Sequence, residues 1–291
     1  MKFGFSTNAF REYSLEETIE VLGSAGYDGI EILLDEPHLY PETVDDARTE
    51  RIQRILADQD LEIANCNAFM FSAGEVSDRV RESEYSRDTE DFHHPSFVEH
   101  DAEDRQARVE HTQAALRTAA NLGAPCISIP PGGPVPFDRP DDEAMDDFVE
   151  SLRKIAETAE TVGINVLVEP EPELLIETTG EFLEFVERID YSRIRCNFDA
   201  GHLFSVGEDP VEAFDRLAEY VDHVHLEDIP ADRSHEHTQL GDGAMAIDDF
   251  LDALDSRGYE GFVTVELYPY EETAAETARE AMSYLEDCGW V

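Results

Sequence analysis

Lysine is nearly absent from this chain of 291 residues. Only Lys2 and Lys154 occur, one at the opening of the first strand-like run and the other inside a helical stretch, so neither is placed for Schiff-base chemistry. Basic residues of any kind are scarce: 21 Lys and Arg stand against 68 Asp and Glu, a formal charge of −47. A surface with that balance repels nucleic acid and anionic membrane. The acids are spread over every expected helix face, which excludes a disordered acidic tail. The composition resembles that of proteins from salt-accumulating halophiles, where molar salt cuts the reach of self-repulsion to about 3 Å. No apolar run approaches membrane length, and the opening MKFGFSTNAFREYS is polar where an export signal needs an apolar stretch, so a cytoplasmic location is expected. Cys66, Cys126, Cys196 and Cys288 form no Cys-x-x-Cys pair and read as reduced, mostly core thiols. No Gly-x-Gly-x-x-Gly follows the first strand-like run, which argues against a dinucleotide-binding sheet.

What is present is a rhythm. Short apolar runs at 2–7, 29–34, 61–64, 126–129, 165–168, a run ending at Asp199, 222–226 and 261–265 read as strands. Between and after them lie helical stretches, the first opened by a capping box of Ser14 and Glu17, with glycine stops at Gly26, Gly123 and Gly163. Eight strands alternating with eight helices predict a single α/β domain over 1–291, a closed (β/α)8 barrel with its site at the carboxyl ends of the strands. The rhythm breaks at about 68–103, where Phe69, Met70 and Phe71 precede Asp91-Phe92-His93-His94-Pro95-Ser96-Phe97. That aromatic content favours a lid over the barrel rim above disorder.

The stretch Cys196–His202, CNFDAGH, organises the rest. A strand interior does not accept Asp or Gly readily, so Asp199 marks a strand end with its side chain free to face a cavity. Three other strands end alike, in Glu169, His225 and Glu266. Singly, such residues are helix caps or structural hydrogen-bonders. Together, at the ends of strands five to eight, they converge on one side of the rim and would repel one another without a cation. Three carboxylates and an imidazole suit Mn²⁺ best, with Mg²⁺, Co²⁺ or Zn²⁺ compatible.

Glu169-Pro170, Asp199-x-Gly201-His202, His223-x-His225-Leu226-x-Asp228 and Val265-Glu266-Leu267-Tyr268 together resemble the xylose-isomerase-like TIM barrels. This is the sugar phosphate isomerase/epimerase superfamily, which includes ketose 3-epimerases, hydroxypyruvate isomerase, inosose dehydratase, 3-dehydroshikimate dehydratase and endonuclease IV. The resemblance implies that Glu169, Asp199, His225 and Glu266 are metal ligands, that Glu169 and Glu266 double as acid and base, and that His202 hydrogen-bonds substrate. Endonuclease IV has zinc-binding histidines at the ends of strands three and four, where this chain has Asn65-Cys66-Asn67 and Pro130-Pro131-Gly132. The active-site lysine of xylose isomerase has no counterpart, and Arg233 stands two positions beyond the epimerase arginine. Arg233, His94 and Glu171 are carried forward as substrate contacts, with His93 beside them. His235 and His237 are read as ligands of a second metal or as substrate contacts. The Gly241-Asp242-Gly243 turn lies where barrels often bind phosphate, but Asp242 and the scarcity of basic residues favour an uncharged polyol.

The expected activity is a metal-dependent isomerisation or epimerisation of a ketose-type α-hydroxy ketone, a sugar or sugar phosphate, through an enediolate. A dehydratase acting on a cyclic keto-polyol is the alternative, and a metal phosphodiesterase is disfavoured by the missing histidines and by the charge. The expected partner is a small carbohydrate or polyol, not nucleic acid or membrane, with homo-oligomerisation left open.

Overall fold

The apolar runs become eight strands, buried along most of their length: β1 (Lys2–Ser6), β2 (Gly29–Leu33), β3 (Glu62–Asn67), β4 (Cys126–Ile129), β5 (Asn165–Val168), β6 (Ile194–Asp199), β7 (Val221–Leu226) and β8 (Phe262–Val265). In the computed structural model, which describes residues 1–85, 90–189 and 191–291, each strand pairs in parallel with the next and β8 returns to β1. The closed α/β barrel expected from the alternation is therefore present, with every strand's carboxyl end on one rim.

Local chemistry accounts for the surrounding helices. Helix Leu15–Ala25 opens on the reciprocal Ser14 and Glu17 capping box and stops at Gly26, whose φ of 95° suits glycine. Helices Ala102–Leu122 and Asp141–Val162 likewise end at Gly123 and Gly163. The second and last helices, expected from Thr43 and Glu272, start later. The second helix starts at Asp46, because Asp45 caps it through the Arg48 N–H. The last starts at Ala274, after a 3₁₀ turn Tyr268–Thr273 in which Tyr270 is non-helical.

β3 runs to Asn67, beyond the apolar stretch that marked it in the sequence. The added asparagines face a polar layer across the barrel interior: Ser6 Oγ donates to Glu31 Oε1 at 2.7 Å, and Asn65 Nδ2 donates to Glu31 Oε2 at 2.7 Å and to Ser128 Oγ at 3.0 Å. These bonds offset the cost of burying the Glu31 carboxylate and the donors that face it.

Within the expected long loop, Phe69, Met70, Phe71, Phe97 and Val98 are buried, and the segment holds a short helix Asp78–Glu82 and a 3₁₀ turn Asp91–His93. Residues 86–89 of the expected loop lie outside the described residues. Cys66, Cys126 and Cys196 are buried, Cys288 is exposed, and all four are unpaired. Among the described residues no helix is long and apolar enough to cross a membrane.

Candidate active site

Barrel closure brings the four strand-end residues together. Glu169 follows β5, Asp199 ends β6, His225 lies in β7 and Glu266 follows β8; all are buried, and one ligand atom from each lies within 4.8 Å of the others. The Nδ1 of His225 is 2.9 Å from Glu169 Oε1, 3.5 Å from Glu266 Oε2 and 3.8 Å from Asp199 Oδ2.

Asp199 has two roles at once. Its Oδ1 accepts the His202 N–H at 2.7 Å and so caps the short helix Ala200–Ser205, while its Oδ2 is buried with no hydrogen-bond partner. Gly201 stands just beyond it, where a Cβ would lie 1.7 Å from Glu227 Oε1 and would displace that carboxyl.

The other face of His225 meets Glu31, a residue that the sequence reading missed. His225 Nε2 lies 2.7 Å from Glu31 Oε2. Burial works to raise the Glu31 carboxyl, but His225, His223 and the Ser6 hydroxyl together hold it down at about 2. With Nε2–H committed to a carboxylate, Nδ1 is the nitrogen left to face the cluster, the arrangement that orients a metal-ligating histidine. The available signal was a glutamate in the middle of the apolar run GIEILL, a position that costs several kcal/mol unless partnered.

Burial pushes the carboxyls of Glu169 and Glu266 up, neighbouring carboxylates add to this, and His225 opposes it. For His225 burial acts downward, but Glu31, Glu266 and Glu169 raise its imidazole well above the ordinary histidine range. The donor set and the unpartnered Asp199 oxygen fit a hard divalent cation, which resolves the crowding of like charges.

A second histidine group adjoins the first. His202 Nδ1 donates to the Pro170 carbonyl at 3.2 Å and His237 Nδ1 to the Glu266 carbonyl at 2.9 Å. Burial lowers both imidazoles, His237 to about 3, so each is neutral with its Nε2 bare. Those two Nε2 atoms face each other at 3.2 Å, with the His235 ring 4.7 Å from that of His202. Facing lone pairs call for a proton donor or a cation between them.

The remaining candidates separate. Glu171 is buried, with His93 Nε2 at 3.9 Å. Burial, Glu169 and Glu266 push its carboxyl well up. His94 instead pairs with Glu99, Nδ1 to Oε1 at 2.7 Å, and its ring lies 4.5 Å from Tyr85. Arg233 is exposed, donates to the Phe204 carbonyl at 2.7 Å and lies over the Phe204 ring, so it is not brought into the cluster. The amides of Gly241 and Gly243 are already taken: both donate to Asp228 Oδ2, at 3.1 and 2.9 Å, leaving no cradle for phosphate at that turn. Two further residues escaped the sequence reading: Asn8, whose Nδ2 donates to Glu266 Oε1 at 2.8 Å, and Glu227, which burial and Asp199 push well up.

The cluster opens into a cavity of about 50 Å³ walled by Asn8, Asn67, Phe69, Glu169, His202 and Glu266. Met70, Phe92, Glu171, His235 and Tyr268 line both this cavity and an outer vestibule of about 810 Å³.

A family model described as xylose isomerase-like TIM barrel matches residues 19–288. The chain belongs to this family. An inosose dehydratase of Clostridium beijerinckii is 28% identical over 158 residues, 48% of this chain and 53% of that protein; the chain thus matches about half the length of such curated relatives. A D-tagatose 3-epimerase-like protein superposes with TM-score 0.74 at 22% identity, covering 99% of each chain. The IOLI protein with a binding zinc atom superposes with TM-score 0.76 at 19% identity, covering 99% of this chain and 98% of that one. The names these proteins carry are those of a dehydratase and an epimerase-like protein, and the shared feature is the barrel itself.

Proposed function

We propose that the protein is a divalent-metal-dependent isomerase or epimerase of an uncharged ketose-type α-hydroxy ketone. In this reading Glu169, Asp199, His225 and Glu266 hold the cation and Glu169 and Glu266 exchange the proton. The observation that carries it is Asp199, whose Oδ2 is buried without a partner beside two glutamates and an imidazole turned toward it. A bound divalent cation would supply Lewis-acid polarisation of a substrate carbonyl and so acidify the adjacent C–H. The oxygen-rich donor set favours Mn²⁺, and the zinc of the IOLI structure makes Zn²⁺ the second candidate.

The chain's own residues do the rest. Glu169 and Glu266 both line the cavity, from the ends of β5 and β8, and in this reading one takes a proton while the other returns it to the opposite face. Asn8 fixes the Glu266 carboxylate by its bond to Oε1. His202 and His237 present bare Nε2 atoms to which substrate hydroxyls can donate, and Glu171 and His235 stand where the cavity meets the vestibule. Phe69, Met70, Phe92 and Tyr268 exclude water from the reacting carbon. The occupied amides of the Gly241–Gly243 turn are the reason for choosing an uncharged substrate over a phosphorylated one.

The test is a screen of ketoses in D₂O with Mn²⁺-loaded protein: product should be an isomer of unchanged skeleton carrying deuterium at the reacting carbon. Recovery of a product lighter by one water would instead establish the dehydratase reading, which the inosose dehydratase relatives favour. Metal analysis gives about one ion per chain if the histidine group binds substrate and about two if it binds a second cation.

A further inference from the structure

Helix Ala102–Leu122 turns Arg108 inward, where it is wholly buried. A buried cation is costly unless paired, yet among the described residues Arg108 has no ion pair, and its Nε and Nη1 have no hydrogen-bond partner. What it holds is backbone. Its Nη2 donates to the Phe69 carbonyl at 3.0 Å and to the His93 carbonyl at 3.4 Å. The guanidinium lies 5.4 Å from the Phe71 ring centroid and 5.7 Å from that of Phe97.

Those carbonyls belong to two arms of chain, one on each side of the short helix Asp78–Glu82. Each arm puts side chains on the site: Phe69 and Met70 from the first and Phe92 from the second line the cavity, and His93 from the second lines the vestibule. The arms are joined once more by the Phe71 N–H to the Phe92 carbonyl at 3.0 Å. The first is tied to the barrel by Asp35, which accepts the Ser72 and Ala73 N–H groups at 2.5 and 3.3 Å. His111, on the same helix, stacks on Phe71 at 4.1 Å.

We infer that Arg108 is a positioning residue for the active site, a planar fork that fixes the two arms against each other and so sets where Phe69, Met70, Phe92 and His93 meet the substrate; this rests on the site assigned above. An apolar residue of similar length would fill the same space without the cost of burying a charge, so packing alone does not account for an arginine here. A lysine would carry the charge but lacks the flat fork that bonds two carbonyls while its faces lie on two rings.

The experiment uses the full chain loaded with Mn²⁺, as wild type, Arg108→Lys and Arg108→Met. Hydrogen exchange should quicken by roughly tenfold or more in peptides covering 69–73 and 90–97, with barrel-strand peptides unchanged and bound Mn²⁺ unchanged. With D-fructose as probe, KM should rise roughly tenfold while kcat falls by less than about threefold, the pattern of lost substrate positioning. Arg108→Lys, the milder change, should show the same selective exchange if the fork matters more than the charge. Uniform acceleration across the barrel, or wild-type exchange in either variant, would overturn the inference. If wild-type protein leaves D-fructose unchanged, that result counts against the proposed reaction, and the exchange measurement still decides the role of Arg108.

Discussion

At the scale of single residues, Asp199 shows why strand-end carboxylates are ambiguous in a sequence: capping and facing the cavity are compatible, because a carboxylate has two oxygens. Replacing it by Asn keeps an oxygen for the cap and removes the charge. Asp199→Asn should therefore leave helical circular dichroism intact and reduce bound metal to a small fraction of wild type by elemental analysis. Glu31→Gln tests the orientation of His225 in the same way. Loss of an outer partner of a ligating histidine typically costs about 10–100-fold in metal affinity. Unchanged affinity in a chelator competition would show that His225 is held by something other than Glu31. Glu169→Gln and Glu266→Gln should each abolish turnover, with solvent exchange surviving from one face only in a variant that keeps its metal; normal turnover in both would end the two-glutamate mechanism. The four strand-end residues were legible because each broke an apolar run at its carboxyl end. Glu31 broke a run in its middle, where a polar residue makes sense only once the partners from β1, β3 and β7 are in space.

At the scale of elements, the segment after β7 was the hardest to read. Its charged and histidine-rich residues looked alike in sequence, but the fold sorts them by direction: His235 and His237 turn toward His202, while Arg233 turns outward to the end of helix Ala200–Ser205. What shapes the segment is Asp228, which accepts the N–H groups of Ile229, Gly241, Gly243 and Met245 within 3.1 Å. Hydrogen bonds to a charged, buried acceptor are worth about 1.5–3 kcal/mol each and are not additive. Asp228→Ala should cost about 3–5 kcal/mol in urea unfolding, a size reserved for broken buried networks. A loss below about 1 kcal/mol would show that the turn holds its shape without the carboxylate. The barrel itself was legible because its strands are short apolar runs and its helices stop at glycines. The boundaries that moved did so where a side chain, not propensity, decides: Asp45 as a cap, and asparagines in β3 bonded to Glu31.

At the scale of the whole molecule, two electrostatic dependences follow. Burial holds the imidazoles of His38 and His111 down, to about 4 and about 3, and neither belongs to the cluster of Glu169, Asp199, His225 and Glu266. The unfolded chain takes up protons near the ordinary value of 6.5 while the native state refuses them, so their contribution is fully present above 6.5 and is lost as pH falls toward 4 and 3. His111→Phe should keep the stack on Phe71 and flatten the decline in urea midpoint between pH 6.5 and pH 4.5. The larger dependence is on salt. With a net charge of −47, the native state confines carboxylates that the unfolded chain can separate, and the repulsion is long-ranged at low ionic strength. The Debye length shrinks from about 10 Å at 0.1 M to about 3 Å at 1 M, so most of the gain should come below about 1 M, with any further rise reflecting the exclusion of salt from the surface. The thermal midpoint of the metal-loaded protein should climb steeply over that first interval in KCl, and an equal concentration of sucrose should not reproduce the steep part. A midpoint indifferent to KCl from about 0.05 M upward would mean that the acidic surface is already neutralised locally and that the halophile-like composition carries no stability requirement.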